Sequence, residues 1–109
     1  MFLMSEYLSL YITAPSSDVA RTIGHALVEK RLAACVNIIP GVHSIYRWQG
    51  KVEEATEVAL IAKSRASLFQ QAEALIRTMH PYDCPCIVAW PISAGSQPYL
   101  DWLGQETAR

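Results

Sequence analysis

"VHSIYRWQGKVEEATEVALIAK", residues 42–63, decides the architecture. Its first arm places Val42, Ser44, Tyr46 and Trp48 on one face, the period-2 pattern of a strand. Its second arm alternates again: Val52, Thr56, Val58, Leu60 and Ala62 share a face, with Glu54 facing out near the tip. Gln49 and Gly50 fall where a tight two-residue turn belongs, so the stretch predicts a hairpin. The arms are longer than a small core needs. The distal half, Tyr46, Trp48, Lys51 and Glu53, should reach beyond it.

Just before the hairpin, AACVNIIP predicts an apolar strand over 33–39, interrupted by Pro40 and Gly41. Further out, YLSLYIT (7–13) alternates Leu8, Leu10 and Ile12 with Tyr7, Ser9 and Tyr11. Pro15, Ser16, Ser17 and Asp18 supply helix-start chemistry. Val19, Ile23, Ala26 and Leu27 then line one face of a helix running to about Arg31. After the hairpin, Ser64 or Ser67 can cap a second helix carrying Leu68, Ala72, Leu75, Ile76 and Met79. That helix stops at His80, because the residue before a proline disfavours helical backbone. CIVAWPI (86–92) predicts a last strand, which Pro91 weakens or places at an edge. SAGSQP is a loop, and YLDWLGQ is a short C-terminal helix.

The order strand–helix–strand–strand–helix–strand is an α+β split βαβ, or ferredoxin-like, arrangement: an antiparallel sheet with both helices on one face. Residues 1–109 form one domain on this reading. Hydrophobic residues make up 51% of the chain and charged residues 17%, with three tryptophans and five tyrosines. A domain this short has limited interior, so some of that surface should face a partner subunit. The net charge of −1 leaves no electrostatic footprint for nucleic acid. No apolar run is long enough to cross a membrane, and MFLMSEYL lacks the basic start of a secretory signal. Met1 or Met4 can serve as the start. Three cysteines, an odd count, favour a reducing compartment, with the cytoplasm as the expected location.

The candidate chemistry sits in "HPYDCPC", residues 80–86. His80, Cys84 and Cys86 offer imidazole and sulfur, donors suited to Cu(I) or Zn(II). In an ideal strand Cys84 and Cys86 would point to the same side. Their spacing is not a closed four-ligand zinc pattern, so the same residues also read as a helix-to-strand turn whose histidine caps carbonyls. Cys84-Pro-Cys86 is not a C-x-x-C redox motif either. Cys35 reads as a small buried residue. Ser9, Ser44 and Ser64 have no adjacent histidine, His25 lies mid-helix, and His43 lies on an exposed strand face. With no nucleophile–base pair and no glycine-rich phosphate loop, no enzyme is predicted.

"RLAACVNIIPGVHSIYRWQGKVEE", "HPYDCPCIVAWPI" and "YLDWL" together resemble the CutA family of divalent-cation tolerance proteins, from about Tyr11 to Leu103. The resemblance implies a tight homotrimer shaped like the PII signalling proteins, and a link to divalent metal, notably copper, tolerance. Tyr46, Trp48, Lys51, Glu57, Lys63, Tyr82, Tyr99 and Trp102 match its pattern. They read as core or interface residues, or as the lining of an intersubunit cleft for a small anion or other metabolite, with His80, Lys63 and Glu57 as its polar groups. The family's usual pattern here is His-Pro-Tyr-Glu-x-Pro-Glu. Asp83 keeps its first carboxylate and Cys86 replaces its second. Copper-binding relatives are thought to use a cysteine near the end of the first strand and two adjacent histidines. Those positions hold Ile12 and Met79 in this chain, and only His80 matches. The expectation is weak metal binding, or alternatively a PII-like sensing or scaffold trimer.

Overall fold

The computed structural model describes residues 6–108. Four strands, β1 (Tyr7–Ala14), β2 (Cys35–Trp48), β3 (Lys51–Arg65) and β4 (Ile87–Pro91), form one antiparallel sheet in the order β2-β3-β1-β4. Helix α1 (Ser17–Glu29) follows β1, and α2 (Phe69–Met79) follows β3 through a 3-10 turn at Ala66–Leu68. Helix α3 (Gln97–Glu106) ends the described chain. The predicted α+β, ferredoxin-like order is the observed one.

Leu10, Ile12, Val58, Leu60 and Ala62 point from the sheet into the core, where Ala20, Ile23 and Leu27 of α1 meet Ala72 and Ile76 of α2. Ser16 caps α1, its hydroxyl accepting from the Val19 N–H at 3.2 Å. Ser64 and Ser67 do not cap α2, which has no side-chain cap. Ser64 still belongs to β3 and is fully buried, and its hydroxyl donates to the Leu32 carbonyl at 2.6 Å. It ties the chain leaving α1 to the sheet instead of starting a helix.

Pro40 and Gly41 do not divide β2 as expected. Ile39 pairs with Ala59 and Val42 with Glu57, so β2 spends one more residue than β3 between these pairs. This is a β-bulge, with Gly41 at φ +82 supplying the left-handed backbone. An extra residue exchanges the two faces of every following position. Cys35, Asn37 and Ile39 therefore share the side away from α1 and α2 with Val42, Ser44, Tyr46 and Trp48. The hairpin closes at Gln49 (φ 51) and Gly50 (φ 80), both left-handed, which matches the twist of its arms.

Only part of the face away from α1 and α2 is covered, by α3. Arg65 anchors α3: Nε donates to Thr107 Oγ1 at 2.9 Å, Nη2 to the Gly104 carbonyl at 2.6 Å, and Nη1 to Glu6 at 2.8 Å. A Cβ on Gly104 would lie 2.6 Å from the Tyr7 hydroxyl, so the close approach requires glycine. The remaining face shows Tyr46, Trp48, Val88 and Trp90 to solvent, each 44–51% exposed.

Candidate functional site: the uncovered sheet face and the turn beside it

The segment 80–86 runs from the end of α2 to the start of β4. Cys84 and Cys86 precede Ile87, the first residue of β4, so the pleat does not align their side chains as an ideal strand would. Both are exposed free thiols.

His80 is 8% exposed. Its Nε2–H donates to the Thr13 carbonyl at 2.7 Å, and its Nδ1 accepts from the Tyr82 N–H at 3.2 Å. A carbonyl only accepts and an amide N–H only donates, so the ring is neutral with its proton on Nε2. It staples the turn to the end of β1, and Tyr82 packs against it with ring centroids 4.7 Å apart.

The Tyr82 hydroxyl crosses to β3 and donates to Glu57 Oε2 at 2.9 Å. Burial, the Glu57 hydrogen bond and the Glu57 charge push the Tyr82 hydroxyl up to about 12. Glu57 is 7% exposed, and among the described residues no Lys, Arg or His pairs with it. The Cys86 thiol lies close enough to be raised as well, first by burial and then by the Glu57 carboxylate, while a bond with Thr13 opposes the shift. His80, Tyr82, Cys86 and Glu57 thus meet at one corner. Sequence periodicity places Glu57 on β3 but says nothing of Tyr82, which reaches it across 25 positions of chain.

A second cluster lies at the other end of the same face. Lys63 Nζ donates to Asn37 Oδ1 at 2.9 Å, and Cys35 pairs directly with Lys63 across the strands. Cys35 is half-buried, not enclosed in the core as its sequence context suggested. Burial, then the neighbouring Cys35, raises the Tyr99 hydroxyl, and Tyr99 stacks on Trp102 at 5.5 Å within α3. Of the cleft candidates, Tyr46, Trp48, Lys51, Glu57 and Lys63 share one face of the hairpin, Tyr82 joins them through Glu57, and Tyr99 and Trp102 arrive on α3.

The metal candidates do not assemble in the same way. Among the described residues no group of three or more His, Cys, Asp or Glu is placed to hold an ion. Both ring nitrogens of His80 are already used, which leaves no lone pair free for a metal. His80 therefore offers no free donor to a metal in this arrangement, which leaves the exposed thiols of Cys84 and Cys86.

The family model described as CutA1 divalent ion tolerance protein matches residues 8–106. A divalent-cation tolerance protein of Thermus thermophilus is 54% identical over 96 residues, covering 88% of this chain and 93% of that protein. Its solved structure superposes with a TM-score of 0.91 at 51% identity, over 94% of this chain and 99% of that one. The periplasmic divalent cation tolerance protein of Archaeoglobus fulgidus superposes with a TM-score of 0.91 at 44% identity, over 94% and 99% of the two chains. The chain spans only about half the length of the mammalian relatives it matches. With the matched length, the identity and the superposed fold in agreement, this chain belongs to the CutA1 divalent ion tolerance family.

Proposed function

We propose that this chain is a single CutA-like domain that works as a cytoplasmic homotrimer in the response to divalent metal ions, copper among them. The observation that carries this reading is the uncovered sheet face. Tyr46, Trp48, Val88 and Trp90, with Tyr99 and Trp102 of α3, expose more large apolar surface on one side than a small monomer normally leaves in water. The hairpin runs on past the end of β1, so that β3 before Val58 and the outer edge of β2 are unpaired, which invites a second copy. The cytoplasmic assignment rests on the odd count of three cysteines, which allows no complete disulfide framework.

The protein acts by binding and assembly, with no catalytic step. A soft ion, Cu(I) or Zn(II), is held weakly by Cys84 and Cys86, because His80 can join only by giving up Thr13 or Tyr82. Titration of the reduced protein with Cu(I) and Zn(II) tests this: weak binding lost in a Cys84→Ser/Cys86→Ser variant is expected, and binding indifferent to both thiols refutes it.

A second reading, small-molecule sensing in clefts between copies, is favoured by the Glu57 corner, which lies on the face that a partner would approach.

A further inference from the structure

Residues paired across an antiparallel sheet point to the same side, with Cβ atoms about 4.5–5.5 Å apart. The register therefore lays four side chains in one row across the uncovered face: Cys35 on β2, Lys63 on β3, Ser9 on β1 and Trp90 on β4. Lys63 and Ser9 stand half-buried in the middle of the row. An aromatic group closes each end. The Tyr99 hydroxyl of α3 lies beside Cys35, and Trp90, 51% exposed, leans on Tyr11 with ring centroids 5.3 Å apart.

The row offers donors and holds no acid. An ammonium carries three N–H donors. Lys63 spends one on the Asn37 amide oxygen at 2.9 Å and, among the described residues, pairs with no carboxylate. The Ser9 hydroxyl, directly opposite on β1, adds a further donor. Arg65, two positions along β3, is spent: its Nε, Nη1 and Nη2 are bound to Thr107, Glu6 and Gly104. The nearby acids are committed or distant. Glu6 serves Arg65, Asp101 accepts from Gln97 on its own helix at 2.8 Å, and Glu57 is six positions along β3, about 20 Å at strand rise.

We infer that this row binds the carboxylate of a small organic acid, the Lys63 ammonium taking its charge, the Ser9 hydroxyl one of its oxygens and the Trp90 indole its apolar body. A charge-assisted hydrogen bond is the stronger kind, and an exposed indole gives an apolar body contact that an inorganic ion cannot use. One cation matches one negative charge, whereas a phosphate dianion calls for clustered cations or a helix N-terminus. This deepens the reading of the uncovered face as a small-molecule cleft and rests on it. It fixes the sign and the orientation of the ligand: carboxylate toward β3, body toward β4.

The test follows the indole N–H resonances of the whole protein, with that of Trp90 assigned through Trp90→Phe. The probes are benzoate, its cationic and neutral analogues benzylammonium and benzyl alcohol, and inorganic phosphate. Lys63→Gln keeps an N–H for Asn37 and removes the charge, and its melting curve checks the fold. The expected result is a saturable shift of Trp90 with benzoate, with affinity at least about tenfold weaker in Lys63→Gln and about threefold weaker in Ser9→Ala. Benzoate that binds Lys63→Gln as it binds wild type, or phosphate that binds more tightly than benzoate, overturns the inference. Should Lys63→Gln fail to fold, unchanged affinity in Ser9→Ala overturns it instead. The analogues separate the two failures. If benzylammonium or benzyl alcohol shifts Trp90 and benzoate does not, the face takes small molecules and only the carboxylate assignment falls. If none of the three shifts it, the cleft reading falls as well.

Discussion

Replacing His80 by Ala separates an architectural role from a ligand role. The side chain is buried and holds two backbone groups, the Thr13 carbonyl at 2.7 Å and the Tyr82 N–H at 3.2 Å. Alanine leaves both without their partner and opens a space where the ring stood. Leaving a buried polar group unsatisfied costs about 1–3 kcal/mol, and water reaching the turn recovers part of this, so the summed loss should be about 2–4 kcal/mol. His80→Gln places an amide N–H near the Nε2 position, keeps the Thr13 bond, and should lose roughly half as much. The assay is urea unfolding in the presence of a chelator, at one fixed protein concentration because association adds to apparent stability. Unchanged stability of metal-free His80→Ala would refute the staple and return His80 to the metal candidates.

Tyr82→Phe removes the hydroxyl that binds Glu57. With the folded pKa raised from 10.0 to about 12, the hydroxyl contributes stability that is complete below pH 10 and is lost as pH rises toward 12, so the variant should show a flatter stability profile across that window in alkaline unfolding curves. Gly104→Ala drives a methyl group against the Tyr7 hydroxyl and Arg65, and should cost about 1–3 kcal/mol in thermal unfolding while loosening α3. An unchanged melting curve would contradict the close approach. Ser64→Ala leaves the Leu32 carbonyl without its donor in the core and should cost about 1–3 kcal/mol by denaturant titration.

The elements were legible because each carries its own period. Leu8, Leu10 and Ile12 announce β1, and Gln49-Gly50 announces the hairpin turn, both from neighbours in sequence. Features that depend on distant partners were not. Pro40-Gly41 looks like a break in any local window, and only the pairing of β2 with β3 shows that it exchanges faces and sends Tyr46 and Trp48 to the uncovered side. Ser64 resembles a helix cap until Leu32 is seen beside it. Donor type is displayed well by sequence, and it marks His80, Cys84 and Cys86 as metal candidates. The lone pairs of His80 were already spent on Thr13 and Tyr82, which sequence does not display. A family pattern marks the cleft residues, while their grouping by charge, Glu57 at one end and Lys63 at the other, follows only from the strand register.

The central claim is that the uncovered face is covered by other copies of this chain. Sedimentation equilibrium of wild type and of Trp48→Ala at micromolar concentration tests it most directly, since Trp48 is 45% exposed at the tip and contributes little to the core of its own subunit. The account predicts a wild-type mass three times that of the chain and a weakened assembly in the variant with its secondary structure intact. A wild-type protein that sediments as a monomer, with Tyr46, Trp48 and Trp90 left in water, would contradict it.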